Sequence, residues 1–134
     1  MNWIHYATAV FVAVIVCSLT DWLFMGVLFH EKYKEHPEIW RASVSSGGES
    51  RAIAWATLLT VVTCAAFVDL CVAFGSTTFP RAGALAIGIW FAVPLPMLVT
   101  NAFFIKFHPL VVVSHALGWL AKLLVCALSA SYFM

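Results

Sequence analysis

The chain has 134 residues, of which 63% are hydrophobic and 10% charged, with a formal net charge of +1. Such a composition is too apolar for a water-soluble domain and places the chain among integral membrane proteins. The near-zero charge and the lack of a basic patch argue against nucleic acid as a partner and leave the lipid bilayer as the main surrounding.

Four apolar runs, at about residues 4–29, 51–74, 82–105 and 109–133, each approach or exceed the ~20 residues a helix needs to cross a ~30 Å hydrocarbon core. The expected fold is all-α, a single domain of four transmembrane helices in an antiparallel bundle. The first run starts almost at residue 1, but residues 1–10 carry no Lys or Arg and the run is too long for a signal-peptide core. It reads as a retained span.

Between the first two spans lies the one sizeable polar segment, residues 30–50. Its first half, His30 to Arg41, mixes both charge signs with Tyr33, Ile39 and Trp40, which suits a segment lying along the headgroups. Its second half, Ser43 to Ser50, reads as a flexible connector. His30, Glu31, Glu35 and His36 lack the spacing of the zinc-protease motif and read as a solvated loop, with no metal expected.

In the third span, Pro94 and Pro96 fall near the midpoint. Each removes a backbone donor, so the stretch from Trp90 to Pro96 is expected to kink or partly unwind. Broken helices near the midplane often form ligand sites in transporters. The four cysteines, Cys17, Cys64, Cys71 and Cys126, lie inside spans and form no C-x-x-C, so they read as buried packing thiols.

Loop charge sets the expected orientation. Lys32, Lys34, Arg41, Arg51 and Lys106 flank one side and only Arg81 the other, which puts the first and third loops in the cytoplasm and both termini outside.

The polar residues within the spans are the candidates for function. A charge at a helix centre costs roughly 2.5 to 3.5 kcal/mol on insertion scales, so such residues pair, line cavities or do chemistry. Counted at 1.5 Å per residue from the cytoplasmic ends, Asp21 lies roughly 12 Å deep, His115 about 9 Å and Asn101 about 6 Å. This inner group, beside Pro94 and Pro96, reads either as a hydrogen-bonded knot that holds the bundle together or as the binding site for a proton, ion or small polar ligand. Asp69, at roughly 27 Å, and Lys122, at about 20 Å, are expected to form an outer structural ion pair bridged by the lysine stem. Ser114 and Gly118 flank the polar face of the fourth span and permit close helix approach.

One resemblance adds to this. The stretch Gly26-Val27-Leu28-Phe29, the later Trp40, the progression from Trp90 through Pro94, Pro96 and Asn101 to Phe104, and the hairpin into Leu110 and Gly118 together resemble the bacterial membrane family called domain of unknown function 1761. The resemblance implies a small four-helix protein of a bacterial inner membrane. It supplies no activity, cofactor or catalytic residue.

Three functional classes remain open at this point. The favoured one is a small transporter or ligand-binding membrane protein, homo-oligomeric because one four-helix bundle rarely encloses a pore. The second is an accessory subunit of a larger membrane complex, with Trp22, Trp55, Trp90 and Trp119 facing partners. The third, less favoured, is a membrane enzyme on a lipidic substrate with an Asp/His pair as acid and base, or a haem protein using His115. Paired axial histidines are not evident, since His5 and His115 lie near opposite faces, and no cofactor is expected.

Overall fold

A computed structural model describes residues 2–39, 41, 47–106 and 108–134. Trp40 and residues 43–46 of the expected connector lie outside the described residues. Among the described residues, six α-helices run in chain order: α1 (Trp3–Trp22), α2 (His30–Glu35), α3 (Glu49–Ala73), α4 (Phe79–Ala92), α5 (Pro94–Phe104) and α6 (Pro109–Phe133). No strand occurs among the described residues. Four stretches are long and apolar enough to cross a membrane: Trp3–Leu28, Glu49–Ala73, Phe79–Phe104 and Pro109–Phe133. They agree with the expected spans to within three residues.

Local chemistry explains the element ends. Asn2 caps α1, its side chain accepting a hydrogen bond from the Ile4 amide at 3.0 Å. His108 does the same for α6, accepting from the Leu110 amide at 3.2 Å. After Trp22 the first span widens into a π-helical segment, Leu23–Leu28. Such segments often mark functional sites.

The break in the third span is sharp and sits at Val93, whose φ of −126° and ψ of −75° leave the helical region. Pro94 and Pro96 then fall in the first turn of α5, where missing amides cost nothing because that turn has no intrahelical acceptors. The two prolines therefore start a new helix; they do not distort an old one.

Three contacts fix the register of the bundle. Ser129 Oγ donates to the Ala9 carbonyl at 2.7 Å, Lys122 Nζ to Asp21 at 2.8 Å, and Lys122 Nζ to Thr60 at 3.0 Å. Residue numbers fall along α6 as they rise along α1, so these helices are antiparallel and the termini share one end. Packed against α6 are α1, α3, α4 and α5, and α3 also packs against α1.

Small side chains make this closeness possible. Ala9, Ala13 and Cys17 follow at four-residue spacing on α1, and Cys126, Ala127 and Ala130 answer them on α6, all with zero exposure. Ala82 and Ala86 do the same on α4. In lipid, where burial of apolar surface adds little, close packing of small residues is the main source of helix association. The large apolar residues point outward, among them Phe11, Trp22, Trp55 and Phe103. Trp90 and Trp119 are partly buried instead: the Trp90 indole donates to the Ala116 carbonyl at 2.8 Å, tying α4 to α6.

Replacing Ala13 by Leu inserts volume where none is available and should lower stability by about 1–3 kcal/mol in reversible detergent unfolding. The exposed Leu19→Ala substitution should stay within about 0.5 kcal/mol of the parent.

A candidate site at the Asp21–Lys122 ion pair

Three helices meet where Asp21 lies in the last turn of α1, Thr60 inside α3 and Lys122 inside α6. The Lys122 ammonium donates to the Asp21 carboxylate and to the Thr60 hydroxyl, and lies 5.5 Å from the centroid of the Trp119 ring. These partners spread the ammonium charge over an anion, a hydroxyl and a π face. Lys122 keeps 12% of its side chain exposed and Asp21 keeps 40%. The lysine is therefore the more deeply committed member.

Asp21 opens onto a cavity of about 340 Å³ bounded by α1, the π-helical segment, α3 and α6. Its polar lining consists of Asp21, Thr60, Thr63, Ser114, His115 and Lys122, and Phe24, Met25 and Trp119 contribute apolar wall. His115 is exposed on that wall, one face and two turns from Lys122. Beside the cavity, Ser114 shares a hydrogen bond with the hydroxyl of Tyr33, which is buried and anchors α2 to α6. Burial pushes the Tyr33 phenol above its ordinary pKa.

The structure departs from the expected groupings in two respects. The Asp69–Lys122 pair is not formed, because Lys122 is taken by Asp21 and Asp69 is exposed. The inward positions of α3 include Thr60, Cys64, Val68 and Cys71, and residue 69 is turned about 140° from residue 64 at 100° per residue. Asp69 interacts with Tyr6 of α1 instead. Asn101 and Pro96 also lie away from the cavity, since α5 packs against α4 and α6. Pro94 is buried at the start of α5 and does not line the cavity either. Azimuth separates Asn101 from the cavity, and Asp69 is displaced in depth as well, lying nine residues, about 13.5 Å, beyond the Thr60 that is level with Lys122. Of the expected binding group, Asp21 and His115 share the cavity.

The loop residues do not converge on one point. Glu31 pairs with Lys34 at 3.0 Å, Glu35 with Lys32 at 3.1 Å, and His36 with Glu38 at 3.0 Å. The Lys34 hydrogen bond holds the Glu31 carboxyl below the ordinary carboxylate range. His36 also stacks on His108, with ring centroids 4.0 Å apart.

Sequence reasoning overlooked Thr60, Thr63, Met25 and Trp119 as wall residues. Thr60 had a detectable signal, since it precedes Cys64 by the same four residues that separate Lys122 from Cys126.

Fold and contacts together define a small polytopic helical membrane protein with an ion pair inside its spans. The chain belongs to the family described as Protein of unknown function (DUF1761), whose profile matches residues 8–130. No curated protein and no solved structure matches it.

Because Lys122 is the more buried partner, removing its anion should cost more than removing the cation. Asp21→Asn should lower stability by about 3 kcal/mol and Lys122→Met by about 1 kcal/mol, its partner being well solvated. In the double variant, stability should return toward the parent in the same unfolding measurement.

Proposed function

We propose that the chain takes a small polar solute or ion into the cavity beside Asp21 and Lys122. The observation that carries this reading is that the pair is incompletely sequestered. Lys122 is nearly buried, whereas Asp21 keeps 40% of its side chain exposed and faces a cavity furnished with two threonine hydroxyls and an imidazole. The volume suits a small molecule, lying at the lower end of the ~300–1,000 Å³ of ligand pockets.

Beyond the ion pair, toward the end that holds both termini, the α1–α6 interface closes over Ala9, Ala13, Ala127 and Ala130, all with zero exposure. A charged cavity with a closed helix interface beyond it fits exposure to one side of a membrane at a time. The basic residues Lys32, Lys34 and Lys106 flank the cavity end, so in this reading the cavity faces the cytoplasm and the termini lie outside. One bundle of this width encloses no continuous path, and passage across the bilayer then rests on several copies assembling.

The test uses the full chain in proteoliposomes with an entrapped pH indicator under an imposed potential, together with light-scattering measurements of swelling in small polyols. The parent should exceed protein-free vesicles in at least one assay. Asp21→Asn and Lys122→Met should abolish that excess, and Asp69→Asn, outside the cavity, should preserve it. Equal flux in the parent and both cavity variants contradicts the reading.

A further inference from the structure

One helical turn from the ion pair, toward the sealed end, the same three helices bring three thiols together. Cys17 Sγ lies 4.0 Å from Cys126 Sγ and 3.9 Å from Cys64 Sγ, and Cys126 Sγ lies 3.5 Å from Cys64 Sγ. All three residues have zero exposure. Each separation is well beyond the ~2.05 Å of a disulfide, so the sulfurs are free thiols.

We propose that Cys17, Cys64 and Cys126 form a trigonal site for a soft monovalent cation, Cu(I). The point equidistant from the three sulfurs lies about 2.2 Å from each, close to the ~2.3 Å of a zinc–thiolate bond and so within range of a first-row metal. An ion enters this triangle without displacing the helices that carry it. The donor set chooses among metals. Thiolates favour Cu(I) over hard cations, and a structural zinc site wants four ligands, whereas this group of donors holds three.

Binding by all three thiols releases three protons to the medium and leaves a copper–thiolate centre of charge −2, which Lys122, shared with Asp21, offsets in part. The nearest positive charge to the resulting thiolates is Lys122, one turn from Cys126, whose backbone carbonyl already accepts a weak hydrogen bond from Cys17 Sγ at 3.6 Å. A route of approach is present as well. The cavity wall carries Met25 and His115, a thioether and an imidazole that are both copper-ligand types, and the Asp21–Thr60–Lys122 layer separates the cavity from the thiols by a single turn.

Cys71 provides an internal control. It is equally buried, on the same face of α3, yet stands outside the cluster.

The experiment titrates the purified full chain, anaerobically and in mild detergent, with Cu(I) held by a chromophoric chelator. The parent and Cys71→Ser should each withhold one Cu(I) per chain and develop sulfur-to-copper charge-transfer absorption. Cys17→Ser, Cys64→Ser and Cys126→Ser should each weaken retention by at least about tenfold while eluting as the parent does. Failure of the parent to compete with the chelator overturns the proposal, as does an equal loss in Cys71→Ser. X-ray absorption of the copper-loaded parent needs no variant at all. Three sulfur scatterers around copper support the site, and a shell containing nitrogen or oxygen overturns it.

Discussion

The polar arrangement where α1, α3 and α6 meet follows from one constraint, that a lysine ammonium near the middle of α6 must be neutralised without leaving the helix bundle. At a helix centre an unpaired charge costs roughly 2.5 to 3.5 kcal/mol on insertion scales, a substantial fraction of the stability of a small membrane domain. Lys122 meets the constraint with Asp21, Thr60 and the Trp119 face. Because these partners come from three helices, satisfying the charge also sets the axial register of α1, α3 and α6.

That register has consequences on both sides of the pair. Toward the termini it stacks Cys17, Cys64 and Cys126 into one layer and then closes α1 on α6 through alanines. Toward the other end, the π-helical segment departs from the regular α-helical path, and the cavity lies between it and α3 and α6. Close packing by small residues supplies the attraction, and the ion pair selects one register from those that smooth alanine faces would permit. The third span contributes little to this centre. Its two helices pack on another side of α6, which is why Pro94, Pro96 and Asn101 stand apart from the cavity.

Much of this was legible in the chain. Apolar run length gave the four spans and their ends, because a bilayer of fixed thickness imposes length directly on sequence. The break in the third span was also expected, although its form was not: the prolines occupy the first turn of α5, where their missing amides cost nothing. Depth counted from span ends places Asp21 and Lys122 about 8 Å apart although their side chains meet, and it says nothing about which way a residue points. Asp69 was matched to Lys122 by reach, yet its position on α3 turns it away from the core. A stronger signal lay unused in the spacing. Cys17 precedes Asp21 by four, Thr60 precedes Cys64 by four, and Lys122 precedes Cys126 by four. The order reverses in the first span alone, as it must where one helix runs antiparallel to the other two and all three share the same two layers.

The account stands on Asp21, and not Asp69, being the anion that Lys122 requires. Charge reversal tests this most directly, with the yield of folded, monodisperse protein as the readout. Lys122→Asp alone should fail to fold, and adding Asp21→Lys should restore folded protein. Rescue by Asp69→Lys in place of Asp21→Lys would contradict the account.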